Sequence, residues 1–109
     1  MNVRLYLWQR GTAALLAPMV LIHIAVIFYA TRKGISAADV LARTRGSVAW
    51  AVFYGAFVAA VSIHASIGVR TVLSEWTPLR GRACDIVVVL FGFMLAVLGF
   101  RAVAAVVLP

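Results

Sequence analysis

The residues of this chain best suited to chemistry are its two histidines, and both lie inside apolar runs. His64 is followed by Ala65-Ser66-Ile67-Gly68, and the run then leaves through Arg70, Glu75 and Trp76. His23 sits in an earlier run, residues 11–31, that carries no formal charge. An ionisable ring in hydrocarbon costs free energy and is by default a candidate functional group. Its nitrogen is a usual axial ligand for haem iron. His64 therefore reads as a haem b ligand near one membrane face, with the exit residues serving a haem propionate or a quinone. Gly68 lies one turn from His64 on the same face. Its missing side chain would clear room either for a porphyrin edge or for a closely packed helix. The competing reading is that a buried histidine simply hydrogen-bonds a carbonyl of a neighbouring helix. That reading weighs more heavily on His23, which has no such companions.

The elements that must position these side chains are membrane helices. Of the 109 residues, 65% are hydrophobic and the mean hydropathy is +1.08, far above the roughly even balance of a soluble domain. A bilayer core needs about 20 apolar residues per helix. Three runs satisfy this: residues 11–31, 46–69 and 86–108, the last interrupted only by Arg101. The expected fold is all-α and membrane-embedded, one anchor domain over residues 1–109, with helices at about residues 11–30, 47–73 and 86–108. So little extramembrane chain leaves no room for a separate catalytic domain, so any enzyme chemistry must come from other subunits. The first run is longer than the roughly 7–15 apolar residues of a signal peptide, and it reads as a retained span.

The formal net charge is +7. The basic residues bracket the apolar runs, as they do in membrane proteins, and form no soluble face for nucleic acid. Arg101 either snorkels to the far head groups or balances the propionates of a second haem. The single cysteine, Cys84, cannot form an internal disulfide. Residues 1–10 read as an interfacial head with Trp8 as a belt residue, and Pro18 as a kink in the first helix. Gly34 should end that helix. Ser36 should cap a short amphipathic piece at about residues 37–43. Pro78 breaks the chain between the second and third spans, and Asp85 should cap the third. Basic residues are divided almost evenly between the two faces, leaning to an inside N-terminus.

Depth decides whether one iron could take both histidines. Measured from the Arg10 end, His23 lies about 18 Å in and His64 about 9 Å in, at about 1.5 Å rise per residue. Two ligands of one iron must bring their nitrogens within roughly 4 Å. If both bind haem, they bind different haems at two levels, each completed by a histidine from a partner subunit.

The segment His64-Ala65-Ser66-Ile67-Gly68, continued by Val72-Leu73-Ser74-Glu75-Trp76 and Pro78, resembles the small hydrophobic membrane-anchor (cytochrome b) subunit of succinate dehydrogenase or fumarate reductase, respiratory complex II. Arg10-Gly11-Thr12-Ala13 looks like that family's Arg-x-Thr-Ala entry to the first helix. The resemblance implies a bundle shared with a second anchor subunit, plus an iron–sulfur subunit and a flavoprotein subunit that oxidises succinate in the tricarboxylic acid cycle. It implies haem b, one or two per complex, with quinone as electron acceptor, in a bacterial inner (cytoplasmic) membrane. It puts His64 on the haem-ligand position and Arg10 near propionates and quinone. Glu75 and Trp76 fall where the family usually has aspartate and tyrosine. Trp76 offers only an N–H donor, which leaves Glu75 as the better candidate for proton traffic. Gly68-Val69-Arg70 looks more like the Gly-Ile-Arg of the family's larger anchor. Related anchors with two haems place a histidine in each of the first two helices, as His23 and His64 do.

The expected function is thus membrane anchorage of a succinate:quinone oxidoreductase, non-catalytic alone. His64 and His23 are the metal-ligand candidates. Arg10 and Arg70 would balance propionates, Gly68 lies beside the haem, and Glu75 and Trp76 line the quinone site. The rival is a haem-free anchor, or a small subunit of another quinone-linked or transport complex.

Overall fold

The structure is a computed structural model that describes residues 2–108. It contains α1 (Val3–Lys33), α2 (Ala37–Thr44), α3 (Val48–Trp76) and α4 (Gly81–Val107). The helices α1, α3 and α4 are each long and apolar enough to cross a membrane, and there is no strand among the described residues. Most of their large apolar side chains are exposed, Leu21, Phe28, Val89 and Phe93 among them. In lipid this carries no penalty, because the backbone polar groups are satisfied inside each helix and the surroundings are as apolar as the side chains.

The helix ends follow local chemistry. Residues 3–10 are not a head apart from the helix but its first turns. Asn2 accepts a hydrogen bond from the Leu5 amide at 2.9 Å and starts α1 at Val3. From there α1 runs unbroken through Pro18. Gly34 ends it at φ 66°, a left-handed conformation that glycine adopts without strain. Ser36 and Asp39 form a reciprocal capping box at the start of α2. α4 begins at Gly81, earlier than residue 86, so Asp85 lies inside the helix and is not its cap. Gly81, at φ 65°, turns the chain into the helix directly after Arg80, whose side chain makes no capping hydrogen bond.

Helix α3 is the middle of the assembly, packed against α1 on one side and α4 on the other. Small residues bring α3 and α4 together. A Cβ at Gly99 would meet Val58 Cγ1 at 2.5 Å, and one at Gly92 would run into the Ser66 hydroxyl. Hydroxyls on α3 turn back onto their own helix: Ser62 donates to the Val58 carbonyl at 2.8 Å and Ser66 to the Ser62 carbonyl at 2.6 Å. That satisfies them without a partner chain. At the other end, Thr44 donates to the Val106 carbonyl at 2.6 Å and the Gly46 amide to the Val107 carbonyl at 2.7 Å. These two bonds tie the α2 corner to the last turn of α4, whose carbonyls lack intrahelical donors.

Candidate functional site at the seam of α1 and α3

His64 is placed at the seam between α3 and α1. Its Nδ1 lies 3.2 Å from Thr12 Oγ1. Thr12 is buried, and His64 is half-buried. The same hydroxyl lies 2.7 Å from the Trp8 carbonyl and 3.2 Å from that of Gln9. One turn along, a Cβ on Gly68 would meet Gln9 Nε2 at 3.5 Å. The space beside Gly68 on this face is therefore occupied by the Gln9 amide of α1. Gln9 Oε1 is buried and has no hydrogen-bond partner among the described residues.

His23 lies well away. Its ring meets the edges of Tyr54 (centroids 5.7 Å apart) and Phe57 (5.4 Å) on α3. Its Nδ1 is buried without a hydrogen-bond partner among the described residues. The ring borders a cavity of about 360 Å³ lined also by Thr44, Val58, Gly99 and Val106. Because His64 is level with Thr12, the two histidines are separated by the rise from Thr12 to His23, about 16 Å along α1. This is wider than the 9 Å expected from sequence. The sequence estimate sets Arg70 level with Arg10, whereas α1 begins at Val3 and Arg70, six residues past His64, falls beyond Arg10 toward the start of α1. One iron cannot take both rings. Among the described residues no three His, Cys, Asp or Glu side chains converge on a metal position.

The charged candidates gather at the His64 end of the bundle. Arg70 Nε donates to Asp85 Oδ1 at 2.9 Å, linking α3 to α4. Arg10 is exposed, with its guanidinium 5.9 Å from the Tyr6 ring centre. Glu75 is exposed, and Trp76, the last residue of α3, is 82% exposed. The fold places these two one to two turns beyond Arg70, at the exposed end of α3. Arg101 is exposed on α4, close in sequence to the lining of the His23 cavity. Sequence reasoning missed the contacts of Thr12, Gln9 and Asp85. The available signal for Thr12 was a hydroxyl inside an apolar run, two residues from Arg10.

Three apolar spanning helices, with two histidines held at different levels between α1 and α3, define a small integral-membrane subunit. The chain belongs to the succinate dehydrogenase/fumarate reductase transmembrane subunit family, whose model matches residues 2–100. Members of that family are subunits of the succinate dehydrogenase/fumarate reductase complex, so this chain has partner subunits. No individual curated protein and no solved structure matches it.

Proposed function

We propose that this chain is the small cytochrome b anchor of a succinate:quinone oxidoreductase and that His64 is an axial ligand of a haem b. The observation that carries this reading is the seam contact. The His64 ring is held by Thr12 through Nδ1, which leaves Nε2 free for iron, and the ring sits at the end of the bundle that also holds Arg10 and Arg70. Arg10 and Arg70 would balance propionate charge there, with Gly68 and its Gln9 neighbour alongside. The second axial nitrogen would come from the partner anchor. When bound, the haem supplies one-electron redox chemistry.

His23 is the candidate ligand of a second haem on the opposite side. Its lone buried nitrogen and the adjoining cavity support this, and Arg101 would lie near that level. Glu75 and Trp76, exposed at the end of α3, would complete a quinone site with partner side chains. Trp76 would donate its indole N–H to a quinone oxygen, and Glu75 would carry protons. Electrons would arrive from an iron–sulfur subunit bound to a flavoprotein subunit, on the inside of a bacterial cytoplasmic membrane.

Purification of the complex through a tag on this chain tests the proposal. The expected result is a co-purifying flavoprotein and iron–sulfur subunit, with a haem b band. A complex without that band would leave His64 as an interhelical packing residue. A different flavoprotein would move the anchor to another quinone-linked dehydrogenase.

A further inference from the structure

We propose that Thr12 is the positioning residue for His64: its hydroxyl oxygen accepts from Nδ1–H and so fixes the tautomer that offers Nε2 to iron. The inference rests on the haem reading of His64.

A hydroxyl has one hydrogen to donate and lone pairs to accept with. Thr12 Oγ1 is 2.7 Å from the Trp8 carbonyl oxygen, its nearest polar neighbour, and 3.2 Å from that of Gln9. Both are acceptors only, so the hydroxyl hydrogen is committed to its own helix. A hydrogen must then sit between Oγ1 and His64 Nδ1 at 3.2 Å, and it belongs to the imidazole. A neutral imidazole carries one N–H, so Nε2 bears the lone pair. Metal-ligating histidines commonly donate their other N–H to an oxygen acceptor, which sets the ring's orientation and raises its basicity. The acceptor here is supplied by α1 across the seam, so the rotamer of His64 depends on α1–α3 register. His23 differs: its Nδ1 has no partner among the described residues, so neither tautomer is favoured by a hydrogen bond.

The test uses the whole complex carrying Thr12→Val, which keeps the shape and removes the acceptor, and Thr12→Ser, which restores it. Assembly is checked by co-purification of the flavoprotein. Haem b content and the midpoint potential of the haem are read, not turnover. Loss of a partner of this kind typically lowers metal affinity by about 10–100-fold. Thr12→Val should therefore retain less haem under washing. Its remaining haem should show a higher potential, because a less basic imidazole stabilises ferric iron less. Thr12→Ser should return both toward wild type. If Thr12→Val does not assemble, Thr12→Ala removes the same oxygen without bulk and is read the same way. Unchanged haem retention and potential in the assembled variant would overturn the role of Thr12. His64→Ala separates this from the underlying reading: if that variant keeps all its haem, His64 is not a ligand and the proposal for Thr12 falls with it.

Discussion

Arg70 and Asp85 join α3 to α4 through a single Nε–Oδ1 contact of 2.9 Å, with the arginine side chain 34% and the aspartate 54% exposed. Asp85 therefore does not start α4. It supplies an anion opposite a guanidinium that would otherwise be unpaired at the His64 end of the bundle. Partly exposed pairs of this kind contribute about 0–1 kcal/mol. Asp85→Asn should accordingly lower the thermal midpoint of the assembled complex only slightly, and added salt should shrink the difference between the two proteins. A collapse of the complex would mean that a partner subunit buries this pair.

The α3–α4 contact is steric, and its weak point is Gly99. A methyl group there would lie 2.5 Å from Val58 Cγ1. Overpacking of this sort costs about 1–3 kcal/mol. Gly99→Ala should destabilise the chain by that amount in a detergent unfolding series, and Val58→Ala added to it should recover part of the loss. Gly11→Ala, where a Cβ meets nothing within 4 Å, should be near neutral by comparison.

The capping box of α2 makes its order depend on pH. Hydrogen bonds from the Ser36 amide and hydroxyl hold the Asp39 carboxyl below its usual range. A depressed folded-state pKa means that the contribution is present above the ordinary aspartate value and is lost as pH falls through the folded one. A spin label at exposed Ala42 should report an ordered α2 at neutral pH, loosening only below the ordinary aspartate range. Ser36→Ala should loosen it already at neutral pH, since loss of an N-cap costs roughly 0.5–2 kcal/mol of helix stability.

Trp76 tests the quinone assignment. Its indole N–H would donate one hydrogen bond to a quinone oxygen, worth about 1 kcal/mol net. Trp76→Phe should raise the KM for quinone several-fold while leaving succinate oxidation with an artificial acceptor unchanged. An unaltered KM would place the quinone elsewhere.

Much of this fold is written in local pattern. Apolar runs of spanning length mark α1, α3 and α4, Gly34 and Pro78 mark where helices stop, and Ser36 with Asp39 spells out the α2 cap. Local pattern misjudged the N-terminal ends of α1 and α4. There Asn2 caps a stretch that reads as interfacial, and α4 starts at Gly81, before the Asp85 expected to cap it. The candidate site was half legible. His64 and His23 stand out because imidazole is rare in hydrocarbon. The Thr12–His64 contact and the true depth of His64 depend on how α1 and α3 slide against each other. That register is set by interhelical packing, as at Gly68 and Gln9, which no single helix displays. Glu75 and Trp76 are exposed at the end of α3, so the rest of the quinone site proposed there would come from a partner subunit and leaves no trace in this chain's own pattern.

The central claim is tested most directly by the haem b content per complex, measured as pyridine haemochrome against protein in the native assembly and in His64→Ala and His23→Ala variants. The account predicts loss of one haem with His64→Ala, and loss of a different one with His23→Ala. Full haem content in an assembled His64→Ala complex would contradict it.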